Sequence, residues 1–443
     1  MTVEQGQDKY PPGWKRTTLG DLGHYWNGRG FKKSEWRDSG RPIIRIQNLT
    51  GSGEDFNYFQ GEADERNVVR RGDLLMSWAA TLGVYEWGGP EAVLNQHIFK
   101  IESFIEKRFH RYLLESVLAA LRRQTHGSGM VHITRGSFEE TEVWIPDGGE
   151  QRRIVSAIEE HLSHLDAGSA EIEAADGKLT AYEQALLHAA TLGLLPKRDR
   201  PRQRSFEAAS DGSLPQLPVR WRWANLESIA DVVGGVTKDA KKQAGSDLVE
   251  VPYLRVANVQ RGRLDLREIS KIRVPPGVLK KLALEDGDVL MNEGGDRDKL
   301  GRGWIWEGQI PNCIHQNHVF RVRIRDSVLE PRLLSWHGNS FGQAWFQREG
   351  KQTTNLASIS LNRLKRLPVP VPPPDEQHAI IREVDRCLSV TKVIRDELGH
   401  ARSRAKQLHA AILAAAFTGR LPIRPGLGQA GPMNAAAELT WTT

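Results

Sequence analysis

Two segments, IPDGGEQRRI at residues 145–154 and VPPPDEQHAI at residues 371–380, decide how this chain of 443 residues is organised. Both contain a Glu-Gln pair, and both are followed by a long stretch without proline. Beyond these junctions, residues 145–196 align with residues 371–422 without a gap. Because self-similarity at a fixed offset constrains architecture more than a short motif does, we conclude that the chain contains two copies of one unit.

Matching landmarks upstream of the junctions extend the duplication over nearly the whole chain. Trp14 and Trp221 open the two copies, and three further segments recur in order: residues 42–49 with 252–259, 71–76 with 286–291, and 95–101 with 316–322. The offset between copies grows from about 207 to about 226, so the second copy holds extra loop residues. This pattern is expected if variable loops choose a target while helices of fixed length set a distance. The alternative is that loops drift in any duplicated gene.

Each globular half is predicted to be an α+β domain. Short apolar or alternating runs, such as residues 42–49, 73–78 and 97–101, lie between turns rich in Gly, Asn and Asp, which indicates strands. Helical patterns follow at residues 108–123 and 331–348. We therefore expect two α+β domains of roughly 150 residues each.

A long helix is predicted after each globular half. Asp147 can cap the first helix, with Glu150 at the third position of a capping box, and a proline run leads into the second. Gly193 and Gly419 suit the left-handed conformation that follows a helix end. About 43 helical residues would span about 65 Å.

Heptad spacing in both helices predicts an antiparallel coiled coil within the chain, which would hold the two globular domains at opposite ends about a pseudo-twofold axis. The alternative is that each helix packs on its own globular domain. The side chains proposed to pair the helices are Ile158, Leu165, Ile172, Leu179, Leu186, Ile380, Ile394, Leu398, Leu408 and Ile412. A second row of the seam is expected four positions before the first, at Ile154, His161, Gly168, Ala175, Tyr182 and Ala189 and at Ile380, Cys387, Ile394, Ala401, Leu408 and Ala415.

Composition narrows the class of protein. Two cysteines, far apart and without Cys/His ligand spacing, argue for a reducing compartment and against a structural metal. No apolar run is long enough to span a bilayer, and the polar start lacks the pattern of a signal peptide, so we expect a cytoplasmic protein. A formal charge of +6 and a pI near 9.2 lean only weakly towards a polyanionic partner.

The chain lacks the motifs of a catalyst. No phosphate-binding GxxxxGK[ST] loop and no Asn/Asp-Pro-Pro-aromatic methyltransferase pocket occur. Asp176 and Lys178 fall within a helix and are expected to form its solvated face rather than a metal-dependent nuclease site. His97 and His318 recur at matched positions, but each falls in a predicted strand without a nucleophile or ligand at suitable spacing.

The order of these features, repeated twice, resembles the specificity (S) subunit of Type I restriction-modification systems. The features are two variable α+β domains, a tryptophan-led first strand, and two long helices that begin at a Pro-x-x-x-Glu-Gln junction (residues 146–151 and 372–377). The resemblance covers residues 12–422. It implies two target recognition domains that each read one half of a bipartite, asymmetric DNA target, with helices that set the spacer and dock partner subunits.

The resemblance also implies partners and domain limits. The partners would be double-stranded DNA, two methyltransferase (modification) subunits that bind S-adenosylmethionine and methylate adenine, and two restriction subunits that use ATP and Mg; no cofactor is expected on this chain. The implied segments are 1–146 (first recognition domain), 147–195 (first spacer helix), 196–217 (linker), 218–372 (second recognition domain), 373–421 (second spacer helix) and 422–443 (tail).

Candidate DNA contacts are polar and basic residues on the loops of each copy, because base edges and phosphates are bound by such side chains. In the first copy they are Arg29, Lys32, Lys33, Trp78, Thr81, His126, Ser128 and His132. In the second they are Lys238, Lys241, Lys242, Asn292, Arg297, Lys299, Arg302, Lys351, Gln352, Thr353 and Asn355. For any single member, solvated surface remains the alternative.

Residues that recur in both copies suit shared scaffold or phosphate contact more than base choice. These are Arg45, Asn48, Arg255 and Asn258. The aromatic residues Trp14, Trp221 and Trp223 are expected in the core. Two rival functions stay open at this point: a self-contained modification enzyme with fused recognition domains, and a scaffold that binds protein only.

Overall fold

The computed structural model describes residues 10–53, 55–79, 81–124, 135–195, 206–207, 214–238, 245, 247–352 and 357–423. The chain divides into two compact units, one formed by Met1–Glu173 with Gly399–Thr443 and the other by Ala174–Leu398. Each unit combines a globular domain of strands and helices with parts of both long helices, Gly148–Thr191 and Pro374–Ala416. The α+β fold class is therefore confirmed.

The first unit is built on a four-stranded antiparallel sheet in the order Gly23–Asn27, Ile98–Ser103, Leu74–Ser77, Gly83–Glu86. A second sheet has the order Tyr58–Phe59, Arg41–Ile44, Ala92–Leu94, Val68–Val69, and its two middle strands are parallel. A two-stranded antiparallel sheet joins Lys15–Thr18 to Glu142–Ile145. The shorter helices are Leu19–Leu22, Lys33–Glu35, Ile46–Thr50, Glu65–Asn67, Lys107–Gln124 and Arg135–Glu139.

The second unit repeats this topology. Its four-stranded antiparallel sheet has the order Ala230–Gly234, Val319–Ile324, Val289–Asn292, Gly303–Ile305. A second sheet has the order Ser270–Val274, Val249–Leu254, Ile314–His315, and Arg222–Asn225 pairs with Pro368–Val371. Two smaller pairings join Phe206–Glu207 to Leu217–Pro218 and Val259–Gln260 to Arg263–Leu264. A small three-stranded sheet has Ala357–Ser358 in the middle, between Gly294–Gly295 and Lys351–Gln352. The shorter helices are Leu226–Ile229, Val256–Asn258, Pro276–Leu282, Arg297–Lys299, Pro331–Asn339, Phe341–Glu349 and Leu361–Leu364.

Three predicted elements differ in extent from the observed ones. The strand predicted over residues 42–49 ends at Ile44, because the Asn48 side chain accepts a hydrogen bond from the Arg45 backbone at 3.0 Å and starts the Ile46–Thr50 helix. The strand predicted from His97 begins one residue later, since His97 has a φ of 71°. The helix predicted over residues 331–348 is two helices that break at Ser340.

Both long helices begin and end as their sequences predict. The Asp147 carboxylate accepts hydrogen bonds from the backbone N–H groups of Gly149 (2.8 Å) and Glu150 (2.9 Å), which lowers the pKa of Asp147. These bonds satisfy amides that have no partner within a helix. At the other ends, Gly193 and Gly419 have φ values of 68° and 67°, a left-handed conformation in which glycine carries no steric penalty.

The helices pair antiparallel within each unit. In the second unit Arg395 donates to Glu183 (3.0 Å) and Asp176 (3.2 Å), and in the first unit Arg402 donates to Glu173 at 2.8 Å. In each unit, partners later in the first long helix meet partners earlier in the second. The prediction that the two long helices pair antiparallel is confirmed within each unit.

One predicted row of the seam is only partly buried. The row through Ile158, Leu165, Ile172, Leu179 and Leu186 and its counterpart through Val384, Thr391, Leu398 and Ile412 are buried or half-buried. In the second predicted row, His161, Tyr182, Ile394 and Leu408 are exposed, whereas the other members are buried or half-buried. The positions one residue later are buried or half-buried throughout, at Leu162, Ser169, Asp176, Glu183 and Ala190 and at Leu388, Arg395, Arg402, His409 and Ala416. Much of that row is polar, so a search for apolar heptads missed it.

Three residues differ from their predicted roles at the helix seam. Ile394 and Leu408 are 45% and 52% exposed, so the prediction that they pack in the seam is wrong. Asp176, predicted on the solvated face, instead bonds to Arg395 across the helix pair. Because polar partners are costly to separate and tolerate little misalignment, this row favours one register of the two helices.

Both predicted modes of helix packing occur, in different parts of the helices. At the ends, Ile158 of the first helix and Ile412 of the second share a buried cluster with Phe109 of the first globular domain. Leu186 and Val384 do the same in the core of the second domain. The ends of each helix therefore pack on globular domains, and the intervening segments pack on each other.

Candidate nucleic-acid interface

In the first unit, three loops meet at one end of the four-stranded sheet, where its strands begin or finish; this end is called the loop edge below. Asn27 at the end of its strand pairs with Phe99, and Ser77 pairs with both Ile98 and Gly83. The segments after residue 27, between residues 77 and 83, and before residue 98 therefore lie side by side. Beyond them, Arg29 and Asn95 form an isolated bridge that extends the contact between two of these loops.

The second unit places its matching loops at the matching edge. Gly234 pairs with Phe320, Asn292 with Val319, and Met291 with Gly303. Strand Gly294–Gly295 then pairs with Ala357–Ser358, which pairs with Lys351–Gln352. The loops predicted to contact DNA in this copy, far apart in sequence, are thus brought to one edge.

The opposite edge of each sheet adjoins the start of a long helix. The Gln151 side chain accepts from the Glu106 backbone at 3.2 Å and donates to the Pro146 carbonyl at 3.0 Å. Gln377 makes the corresponding bonds to Glu330 (2.7 Å) and Pro372 (2.9 Å), and a third to the Val328 carbonyl at 3.0 Å. Within each unit the loop edge is therefore the end of the sheet remote from this junction.

These bonds give a structural role to the glutamine of the Glu-Gln pair that identified the duplication. Gln151 and Gln377 are 4% and 2% exposed, so each buried amide is matched by the proline carbonyl just before its long helix and by backbone groups of the globular domain. Sequence comparison identified the repeat but did not predict this role. In each copy this glutamine attaches the globular domain to its long helix.

In the first unit, two of the predicted basic contacts remain available and one is already engaged. Lys32 and Lys33 are exposed. Arg29 instead pairs with Glu35 at 2.8 Å and lies over the Phe31 ring at 4.0 Å. Its side chain therefore shapes the loop, and its contribution to DNA binding would require breaking this pair.

Trp78 and Thr81 both lie at the loop edge. Trp78 donates to the Asn27 side chain at 3.1 Å and contacts the His97 ring edge to face at 4.9 Å. Thr81 is exposed. His126, Ser128 and His132 lie outside the described residues.

In the second unit, the basic candidates divide by exposure. Lys238, Arg297 and Lys351 are exposed, and Arg297 also donates to the Gln347 carbonyl at 3.1 Å. Lys299 pairs with Asp296. Burial lowers the pKa of Arg302, which is half-buried.

Asn292 is wrong as a DNA contact. It is fully buried, and its amide donates to the Val259 carbonyl at 2.8 Å. A polar residue beside a glycine-rich loop looks like a contact in sequence, but here it joins two strands of the core. Gln352 is described only through its backbone pairing with Ala357, and Lys241, Lys242, Thr353 and Asn355 lie outside the described residues.

The recurring Asn residues are scaffold in both copies. Asn48 and Asn258 accept from the backbones of Arg45 (3.0 Å) and Arg255 (2.8 Å), and each donates to two carbonyls of the loop that follows. The expectation that these positions serve a shared framework is supported by the contacts. Trp14 and Trp221 are buried as expected, and Trp223 is half-buried.

The interface also contains a pair that sequence reasoning missed. His318 Nδ1 lies 2.6 Å from a carboxylate oxygen of Glu293. The recurrence of the histidine is visible in the sequence, but its partner lies 25 residues earlier in the chain. Only the register of the two strands brings the side chains together.

Metal binding and membrane insertion find no support in the ranges that the structure describes. Among those residues, no group of three or more His, Cys, Asp or Glu side chains could hold a metal ion. Within the same ranges, no helix has the length and apolar character needed to cross a membrane.

Known proteins resemble this chain in sequence and in fold. Residues 11–174 match the family model for the Type I restriction modification DNA specificity domain. The specificity subunit of Type I restriction enzyme EcoBI from Escherichia coli is 27% identical, with 92% of this chain and 86% of the relative covered. The EcoKI specificity subunit from Escherichia coli (strain K12) is 25% identical, with 93% and 90% covered.

Structural comparison agrees on the fold. A chain from a solved structure of the type I R-M system, determined to explain complex assembly and conformational transition, is 19% identical and has a TM-score of 0.60. The alignment covers 93% of this chain and 99% of that chain. With the duplicated domain and helix order, these likenesses show that the chain is similar over nearly its whole length to the specificity (S) subunits of Type I restriction-modification systems, and that residues 11–174 match their DNA specificity domain.

Proposed function

We propose that this chain is the DNA-recognition subunit of a Type I restriction-modification complex. Each globular domain reads one half of a bipartite, asymmetric target, and the paired helices set the spacer and dock the methyltransferase subunits. The observation that carries the proposal is the repeated sheet edge, where loops of different sequence converge on one scaffold. Because base choice depends on side chains at a groove edge, two such edges with different residues suit two different half-sites.

The chain acts without catalysis of its own in this proposal. Two methyltransferase subunits bind S-adenosylmethionine and methylate adenine, and two restriction subunits use ATP and Mg for translocation and cleavage, in the cytoplasm of a prokaryote. The fixed length of the helices supports the spacer role, since a helix rises about 1.5 Å per residue.

Co-expression with the methyltransferase subunits of the same genome, followed by mapping of methylated adenines, tests the proposal. We expect one motif with two specified halves and a spacer of constant length. A continuous motif, or none, would contradict it. Methylation by the purified chain alone would instead support a self-contained modification enzyme.

A salt titration separates DNA recognition from a protein scaffold. Neutralising the exposed lysines Lys32, Lys33, Lys238 and Lys351 to Gln should weaken DNA binding and flatten the dependence of affinity on salt. Each phosphate that the variant no longer neutralises reduces the logarithmic slope by about 0.9. The exposed Lys271, which lies on the Ser270–Val274 strand of the other sheet and pairs with Glu250, provides the control. Unchanged affinity in the fourfold variant would favour the scaffold.

A further inference from the structure

We infer that Glu293 and His318 form the base-reading pair of the second domain, and that they select an exocyclic amine, cytosine N4 or adenine N6, on a defined strand in the major groove. This inference rests on the proposed function and names the chemistry of one of its two half-sites. The pair lies where the Val289–Asn292 strand ends and the Val319–Ile324 strand begins.

The backbone holds Glu293 firmly at this edge. Its N–H donates to the His318 carbonyl at 2.9 Å, and its own carbonyl accepts from the Ile359 N–H at 2.9 Å. The side chains are 26% exposed for Glu293 and 55% exposed for His318. A side chain anchored on two neighbouring chain segments and open to solvent is preorganised to meet a ligand.

The bonding pattern determines what the pair can recognise. A carboxylate only accepts hydrogen bonds, so the 2.6 Å contact requires the proton to sit on His318 Nδ1. His318 Nε2 lies 3.2 Å from the Asn317 amide nitrogen, so this ring nitrogen is already engaged within the protein and His318 serves to position the carboxylate. The other carboxylate oxygen of Glu293 is the acceptor that the pair offers to a ligand, and the complementary groups on a base edge are amines.

The charge of Glu293 argues for base contact rather than phosphate contact. Exposed Lys238, Arg297 and Lys351 lie on the neighbouring loops and suit phosphates. A carboxylate among them repels phosphate and gains only where it meets a hydrogen-bond donor. Glutamate accepting from cytosine N4 is one of the pairings that major-groove geometry permits.

The first domain differs at the equivalent place. The Trp78 N–H donates to the His97 carbonyl at 3.2 Å, as the Glu293 N–H does to His318, so Trp78 occupies the position of Glu293. Its indole contacts the His97 ring instead of an ion-pair partner. The two domains therefore carry different chemistry on the same backbone frame, and a change at Glu293 should affect only one half of the target.

The test uses the full chain reconstituted with its methyltransferase subunits. Glu293→Gln keeps the shape of the side chain but replaces one acceptor oxygen with a donor. We measure kcat/KM for adenine methylation on duplexes that carry each of the four bases at every position of the half-site read by the second domain. At one position, the preference for adenine or cytosine over guanine or thymine should fall at least tenfold, with the other half-site unchanged.

Two further variants make the result decisive. Glu293→Asp retains the carboxylate and should retain the direction of the preference. Glu250→Gln removes an exposed carboxylate that pairs with Lys271 at 3.2 Å near the start of the Val249–Leu254 strand, in the other sheet of the domain, and it should change nothing. A uniform loss of rate across all bases in Glu293→Gln, or unchanged preferences beside an intact bipartite motif, would overturn the inference. Absence of any bipartite motif in the unmodified chain would instead count against the proposed function.

Discussion

Replacing Gln377 with alanine tests how the second globular domain is attached to its long helix. The Gln377 side chain is 2% exposed and makes three hydrogen bonds, to Glu330 N–H at 2.7 Å and to the carbonyls of Pro372 (2.9 Å) and Val328 (3.0 Å). Alanine removes all three, so two carbonyls and an amide have to find water or remain without these partners.

The magnitude follows from these groups. A protein hydrogen bond contributes about 1 kcal/mol net, and a buried group left without a partner costs about 1–3 kcal/mol. Glu330 and Val328 are half-buried, so water can replace some of the missing bonds. We expect Gln377→Ala to destabilise this junction by about 3 kcal/mol, and Gln151→Ala, which removes two bonds, by about 2 kcal/mol.

Hydrogen exchange measured by mass spectrometry reports the effect locally, which matters because a chain of two units need not unfold in a single step. About 3 kcal/mol corresponds to roughly 100-fold faster exchange through local opening, at residues 374–384 and 328–334. Gln184→Ala, at an exposed position of the first long helix, is the matched control and should change exchange little. Equal effects of Gln377→Ala and Gln184→Ala would refute the reasoning.

Two other changes probe the buried polar groups of the globular domains. Asp288 is fully buried, pairs with Arg323 at 2.8 Å and accepts from the Glu285 backbone at 2.7 Å. Asp288→Ala should lower the free energy of unfolding of the second unit by about 3 kcal/mol in chemical denaturation, because it removes these buried bonds and leaves Arg323 with the exposed Glu285 as its ion-pair partner. An effect no larger than that of Asp231→Ala, which removes the exposed ion-pair partner of Arg325, would contradict this. Desolvation lowers the pKa values of His110, His315 and His337 to about 4, below their value near 6.5 in an unfolded chain, so the unfolded chain takes up protons first. Stability present above pH 6.5 should therefore be lost as the pH falls towards 4, and a melting temperature that stays constant over this range would contradict the assignment.

The duplication made much of the fold predictable. Because residues 145–196 and 371–422 align without a gap, the two long helices and their glycine ends could be predicted from one another. The sheets could be predicted only as separate strands. Their order, with the strands Ile98–Ser103 and Val319–Ile324 at inner positions of the two four-stranded sheets, depends on contacts between distant segments that local patterns do not encode.

The helix seam shows where periodicity fails. Its second row contains Asp176 and Glu183, and Arg395 bonds to both of them across the helix pair. A search for apolar heptads scores such residues as solvent-facing and shifts the row to the neighbouring positions, including Ile394. Whether a charge faces water or an opposite charge on another helix is decided by the partner, which the sequence of one helix does not contain.

The candidate interface was predictable by region and only partly by residue. Loop composition predicted which loops carry the basic candidates, including Lys32, Lys238 and Lys351, and strand pairing then brings the loops of each copy to one end of its sheet. Asn292 was misassigned because its burial depends on the strand register. The Glu293–His318 pair was missed for the same reason, since its two members become neighbours only when their strands align.

Exchange of one recognition domain tests the central claim most directly. Residues 12–145 are replaced with the corresponding segment of a relative that has a different target, the chimaera is co-expressed with the methyltransferase subunits, and methylated adenines are mapped. We predict that one half of the motif changes to that of the relative, while the other half and the spacer length stay the same. A change in both halves, or a motif that remains as before, would contradict the assignment of one half-site to each domain.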